Sequence, residues 1–190
     1  MQFEITFDYL CPFARNAHEA VLDGLGGGFE WKVTFRPFSL SQAHVEEGQP
    51  EVFGDLTAPG IRALHWSLAV RDAQPERFGE AHVALFAARH DHGLDISDET
   101  VLASALEDAG VDVYAAAALE SSGGPARTLA AEHAEGVEMW GVFGVPTFVK
   151  DDVATFVRFM ERGNVDHLVQ VLDLLGWHGL NEFKRTRVPR

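Results

Sequence analysis

With 190 residues, 46% of them hydrophobic, the chain is long enough for one domain with a substantial core. Its formal net charge of −14 argues against nucleic acid as a partner, because phosphate contacts need a basic surface. A single cysteine cannot close an internal disulfide, no apolar run is long enough to span a bilayer, and the N-terminus lacks the basic start of a signal peptide, so the cytoplasm is the expected compartment.

The chain opens with a strand pattern, Phe3 to Phe7. A helical pattern follows, with Ala14, Ala17, Val21, Leu22 and Leu25 on one face. Pro12 suits the first helical position, where its missing N–H is not needed. Cys11 therefore stands at the helix N-terminus. Unpaired N–H groups and the positive end of the helix dipole meet there and favour a thiolate over a thiol. So placed, Cys11 is expected to be partly accessible and to ionise well below free cysteine, a geometry that makes a nucleophile. The bland alternative is a small buried hydrophobe.

Gly24-Leu25-Gly26-Gly27-Gly28 stops that helix. Phe29, Trp31, Val33 and Phe35 share one face of a strand expected over Phe29–Phe35, and the short crossover makes the first two strands parallel. Residues 36–59, punctuated by Pro37, Gly48, Pro50, Gly54 and Pro59, read as irregular, with the run Pro37–His44 on the same edge as Cys11. From Gly60 to Val137 the pattern is helical. Leu64, Leu68 and Val70 line one helix, and Phe78, His82, Leu85 and Phe86 a second. Ser97 is the expected cap of a third, with Val101, Leu102, Ala105 and Leu106 as its face and Gly110 as its stop. An alanine-rich helix spans Val113–Leu119, and Gly123-Gly124-Pro125 opens another. A turn from Trp140 leads into a strand, Thr147–Lys150, then a tight turn at Asp151-Asp152 and a partner strand, Val153–Phe159. Asn164 caps a last helix whose stripe is Val165, Leu168, Val171, Leu172 and Leu175, ended by Gly176. The tail carries Lys184, Arg185, Arg187 and Arg190, a solvated or docked segment rather than a binding arm.

Two separated motifs, Phe7-Asp8-Tyr9-Leu10-Cys11-Pro12-Phe13-Ala14 and Gly144-Val145-Pro146-Thr147-Phe148-Val149, resemble the DsbA-like branch of the thioredoxin superfamily. The first matches that family's redox-motif helix start, the second its cis-proline loop, and the helices between them its characteristic insertion. The resemblance implies an α/β, thioredoxin-like fold, β-α-β and later β-β-α, built from residues 1–59 and 138–190, with an inserted helical domain at 60–137. It implies a catalytic Cys11, a substrate- or thiol-binding set of Pro12, Phe13, Ala14, Val145 and Pro146, and a cis Pro146 that leaves the Val145 backbone free to pair with an extended substrate. The closing Leu180–Arg187 is similar to cytoplasmic actinobacterial-type members, some of them mycothiol-linked.

Where the family has its second cysteine, this chain has Ala14. A mixed disulfide at Cys11 cannot be expelled from within and needs an external thiol. The expected activity is thus monothiol thiol–disulfide exchange, with no tightly bound cofactor and with a low-mass thiol, mycothiol or glutathione, as the implied co-substrate. The run is also similar to kappa-class glutathione transferases and 2-hydroxychromene-2-carboxylate isomerases, which carry Ser-Pro in place of Cys11-Pro12. A transferase, isomerase or reductase that uses a low-mass thiol is one alternative. Phe156-Val157-Arg158-Phe159-Met160 departs from the isomerases' usual Phe-Trp-Gly run. The other alternative is a non-catalytic binding protein, which a normal, buried Cys11 would favour. Monomer and homodimer both stay open, and neither membrane nor metal is expected. His82, His90 and His92 lack ligand spacing, and His18 lies about 10 Å along the helix from Cys11. His133 and Glu132 could approach the site but read as packing or solvated residues. Arg15 and Asn16 could meet a bound thiol's carboxylates or be solvated.

Overall fold

Phe3, Ile5 and Phe7 alternate with Glu4 and Thr6, and that period of two makes Gln2–Phe7 the first strand, β1, in a computed structural model that describes residues 1–177 and 179. The basic tail and its Leu180–Arg187 resemblance lie outside the described residues. Strand β2 (Lys32–Pro37) pairs in parallel with β1, from Gln2 opposite Lys32 to Phe7 opposite Pro37. Strand β3 (Thr147–Lys150) pairs antiparallel on the other side, with Glu4 opposite Val149. Strand β4 (Val153–Phe156) completes the order β2-β1-β3-β4. Asp151 and Asp152 turn the β3–β4 hairpin at φ 51° and 60°, the two positive dihedrals that a two-residue turn requires and that aspartate tolerates.

Helix α1 (Pro12–Gly26) crosses from β1 to β2 and buries Ala14, Ala17, Ala20 and Val21. Between β2 and β3 come a single helical turn, α2 (Leu40–Ala43), and then α3 (Ile61–Ala73), α4 (Phe78–His90), α5 (Glu99–Asp108), α6 (Val113–Ser121) and α7 (Gly124–Trp140). Helix α8 (Val165–Leu175) packs beside α1, setting Leu168, Leu172 and Leu175 against Phe3, Ile5 and Phe148. A second core joins Phe7, Tyr9, Cys11, Ala14, Phe38 and Val145 to the buried residues of α3–α7. Cys11 thus sits on the seam between the sheet and the helices.

Several boundaries differ from the sequence reading: β1 starts at Gln2, α2 adds a helical turn inside the stretch expected to be irregular, α6 runs on to Ser121, and three further differences have a cause in the hydrogen bonds. Strand β2 starts at Lys32 because Phe29 N–H still donates to Gly24 O, in the closing turn of α1. The cap of α5 is Asp98, which accepts from Thr100 N–H, while Ser97 turns back to Asp95. Strand β4 stops at Phe156 because the next residues are drawn along α1, where Asn16 Nδ2 donates to Phe159 O and Gly163 N–H to Asn16 O.

Trp31 covers the end of α1 so closely that a Cβ on Gly24 would lie 2.2 Å from its ring. The ring is held edge-on by Phe3 at 6.1 Å and tilted against Phe29 at 4.6 Å. Gly24→Ala is therefore expected to destabilise the fold by about 1–3 kcal/mol, although alanine is the better helix former. Urea unfolding followed by Trp fluorescence measures it, and an unchanged midpoint would refute this account of Gly24.

Candidate functional site

The loop before α1 is built on Asp8. Its carboxylate is fully buried and accepts two backbone N–H groups, from Leu10 at 2.8 Å and from Leu40 at 2.7 Å. Its own carbonyl accepts Cys11 N–H at 3.1 Å. Burial pushes the Asp8 carboxyl up to about 6, against the two N–H donors that pull it down. Asp8 ties the turn ahead of Cys11 to the start of α2, which is how the Pro37–His44 run comes to border the site. Asp8 went unassigned in the sequence; the signal was an acid inside an otherwise apolar run, three residues before the cysteine.

Cys11 is the N-cap of α1. Its Sγ accepts Ala14 N–H at 3.4 Å, and its S–H donates to Val145 O at 3.2 Å. The residue is 8% exposed. Here the structure corrects the sequence reading, because the thiol is held above, not below, its ordinary value. Burial is the largest cause, and the Asp8 charge adds to it; the N–H groups of Ala14 and Phe13 and the Arg158 guanidinium pull the other way. The S–H bond to Val145 O works in the same sense as burial, since only the neutral thiol can donate it. A helix N-terminus alone favours the thiolate, but the tertiary packing over this one outweighs it.

Val145 belongs to a loop fixed on both sides. Thr147 N–H donates to Thr6 Oγ1 and Thr147 Oγ1 to Gly144 O, each at 2.8 Å. The Val145–Pro146 peptide bond is cis. The structure therefore brings Cys11, Ala14 and Val145 into contact, with Pro146 next in the same loop, Pro12 exposed at the helix head and Phe13 half-buried beside it.

Among the described residues, one cation flanks the thiol. The Arg158 guanidinium lies over the Phe13 ring at 5.2 Å and the Phe156 ring at 5.9 Å. Phe143, largely exposed, extends the aromatic surface at 5.1 Å from Phe156. Arg158 had appeared only as part of a departure from the isomerase pattern; a lone arginine after a strand carries no signal of what it stacks on.

Other sequence candidates fall elsewhere. Arg15 pairs with Asp91, and Asn16 is buried under Phe159 O. Glu132 accepts from the two terminal nitrogens of Arg71, and His133 stacks on Phe38 at 4.3 Å while accepting Ser39 N–H. His82 spends its two ring nitrogens on Tyr9 Oη at 2.7 Å and His18 Nδ1 at 2.8 Å, and His18 reaches Thr6 O at 3.1 Å. His90 meets Tyr9 O at 2.9 Å.

A four-stranded sheet flanked by helices, with a cysteine heading the first helix opposite a cis X-Pro loop, defines a thioredoxin-like domain. The chain belongs to the DSBA-like thioredoxin domain family, whose model matches residues 2–173. Among curated proteins none matches it. Solved structures share the fold at low identity. The cytosolic disulfide reductase DsbM from Pseudomonas aeruginosa, determined with GSH, is 17% identical with a TM-score of 0.66, over 92% of this chain and 98% of that one. A 2-hydroxychromene-2-carboxylate isomerase is 19% identical with a TM-score of 0.65, over 93% and 95%. A probable DsbA oxidoreductase from Streptomyces coelicolor is 19% identical with a TM-score of 0.62, over 97% and 93%. One fold thus carries disulfide chemistry in some proteins and isomerisation in another.

Proposed function

We propose that this protein is a monothiol thiol–disulfide oxidoreductase of the cytoplasm, with Cys11 as nucleophile and an external low-mass thiol as resolving partner. The observation that carries the reading is Cys11 Sγ at the head of α1, 3.2 Å from Val145 O, in a chain with no other cysteine. In the first step the Cys11 thiolate attacks a disulfide R–S–S–R′, forming Cys11–S–S–R and releasing R′–S⁻, which takes a proton from water. In the second, an external thiolate attacks the Cys11-bound substrate sulfur, leaving as the new disulfide and returning the Cys11 thiolate. The resting thiol is held neutral by burial and by Val145 O. Attack follows when a docking substrate takes over that carbonyl and frees Sγ to ionise against the N–H groups of α1. Pro12, Phe13, Ala14 and the Val145–Pro146 loop form the walls against which the substrate lies.

A second reading, a binding protein on this scaffold with an inert Cys11, draws on the slight exposure of the thiol and its raised pKa. Mass spectrometry separates the two. Wild-type protein treated with an oxidised low-mass thiol is expected to gain one adduct and keep it until reduced thiol is added, with release accelerating in proportion to thiol concentration. Cys11→Ser gains none. A folded wild type that also gains none excludes exchange and leaves the binding protein or a low-mass-thiol-dependent transferase in its place.

A further inference from the structure

The residues after β4 run along the first turns of α1 and are pinned to it repeatedly. Asn16 Nδ2 holds Phe159 O at 3.0 Å, Gly163 N–H meets Asn16 O at 3.3 Å, and Arg162 forks onto Glu19. This strap delivers Arg158 to the helix head. Its neighbours along α1 are spent: Arg15 pairs with Asp91, and Arg162 with both Glu19 and Asp91. Arg158 has no ion-pair partner among the described residues. It is exposed, and its planar group rests on Phe13 and Phe156, a stacking that leaves the N–H edge open to solvent. In a molecule of net charge −14, an open guanidinium stacked on the residue two beyond the only thiol is a local exception to the prevailing field.

Resting on the exchange reading above, we propose that Arg158 is a specificity residue: it binds a carboxylate on the low-mass thiol or disulfide that reacts at Cys11, so that the protein selects anionic thiols. The guanidinium fork suits a carboxylate in two parallel hydrogen bonds. The exposed Phe143 and half-buried Phe13 flank the carbon chain between that carboxylate and its sulfur. The overall negative charge of the chain would otherwise repel such a substrate, and Arg158 reverses that preference at the one place where it matters.

The test compares three small disulfides of matched size: dithiodipropionate (anionic), hydroxyethyl disulfide (neutral) and cystamine (cationic). Second-order rates of adduct formation at Cys11 are measured by mass spectrometry for the wild type, Arg158→Gln and Arg158→Lys. Losing the cation also disfavours the Cys11 thiolate, but that slows all three probes alike, so the readout is the anionic-to-cationic rate ratio in each protein. The ratio is expected to fall by roughly three- to tenfold in Arg158→Gln, the range for one charge-assisted contact at a partly exposed site. Arg158→Lys should retain part of it, and raised salt should shrink the difference between wild type and Arg158→Gln. An unchanged ratio in Arg158→Gln, with adducts forming normally, overturns this inference and leaves the exchange reading intact. No adduct with any probe overturns the exchange reading and this inference with it.

Discussion

Ala14→Cys is expected to turn the protein into a dithiol enzyme. Ala14 is fully buried one helical turn after Cys11, and its N–H already donates to the Cys11 sulfur at 3.4 Å. Side chains three apart on a helix are neighbours, about 5–6 Å between Cβ atoms, and the pair lies where a short rotation brings the two sulfurs to bonding distance. Under oxidation the variant should lose the mass of two hydrogens and become inert to alkylation. In exchange the second thiol resolves the mixed disulfide from within, at an effective concentration of millimolar or more, roughly. The adduct that persists on the wild type should then disappear without added thiol, and insulin reduction should rise from near background to a measurable turnover with a reductant present. If the oxidised variant keeps two free thiols while its circular dichroism matches wild type, the placement of Cys11 and Ala14 on the first turn is wrong.

Acid should unfold the protein well before its carboxylates are all protonated. Thr6 O, His18, His82 and Tyr9 Oη form one buried chain of hydrogen bonds among Phe7, Phe35, Phe78 and Phe86. Tautomers complete it in one direction: Tyr9 donates to His82, His82 to His18, and His18 to Thr6, with both rings neutral. Burial lowers His18 to about 4 and His82 well below its ordinary value. His133 falls to about 4 for the same reason. A base whose folded pKa is depressed contributes stability that is present above the unfolded value, near 6.5, and is lost as pH falls toward the folded one. At pH 5 His18 alone accounts for a loss on the order of 2 kcal/mol relative to pH 7, and His82 adds a loss of the same sign. Asp8 runs the other way, since its raised carboxyl takes up a proton in the folded state below about 6, but one acid offsets only one histidine. Urea midpoints are therefore expected to drop steeply between pH 6.5 and 4. His82→Phe removes the partner of Tyr9 Oη and of His18 Nδ1, while His18 keeps Thr6 O, and should lower stability at pH 7 by about 1–3 kcal/mol, yet flatten the fall below pH 6.5. Parallel pH profiles for the two proteins would show that the histidine chain is not the acid-labile element.

The Cys11 head of α1, the parallel β1–β2 crossover, the β3 boundaries and the Asp151-Asp152 turn were all legible in the residues. Each depends on neighbours a few positions away: a proline at the first helical position, alternation of period two, and two residues that tolerate positive φ. What was not legible depends on residues far apart in the chain. The cap of α5 is a local exception: Asn164 capped α8 as read, but Ser97 gave way to Asp98 because Asp95, two residues before it, takes its hydroxyl. The histidines had no ligand spacing and no reading beyond packing; only the approach of α4 to α1 joins His82 to His18 and Tyr9. Arg158 acquired a role because the strap after β4 is bonded to α1, across more than 140 residues.

Cys11 divides the two kinds of information most sharply. Its position at a helix N-terminus and the absence of a second thiol were determined by the sequence alone, because helix starts and residue counts are local or additive properties. Its protonation was decided only by the tertiary structure. A helix dipole acts over one turn with a fixed sign, whereas desolvation depends on everything packed above the sulfur, and here Asp8 and the Val145 carbonyl, 134 residues downstream, stand on the side of the neutral thiol.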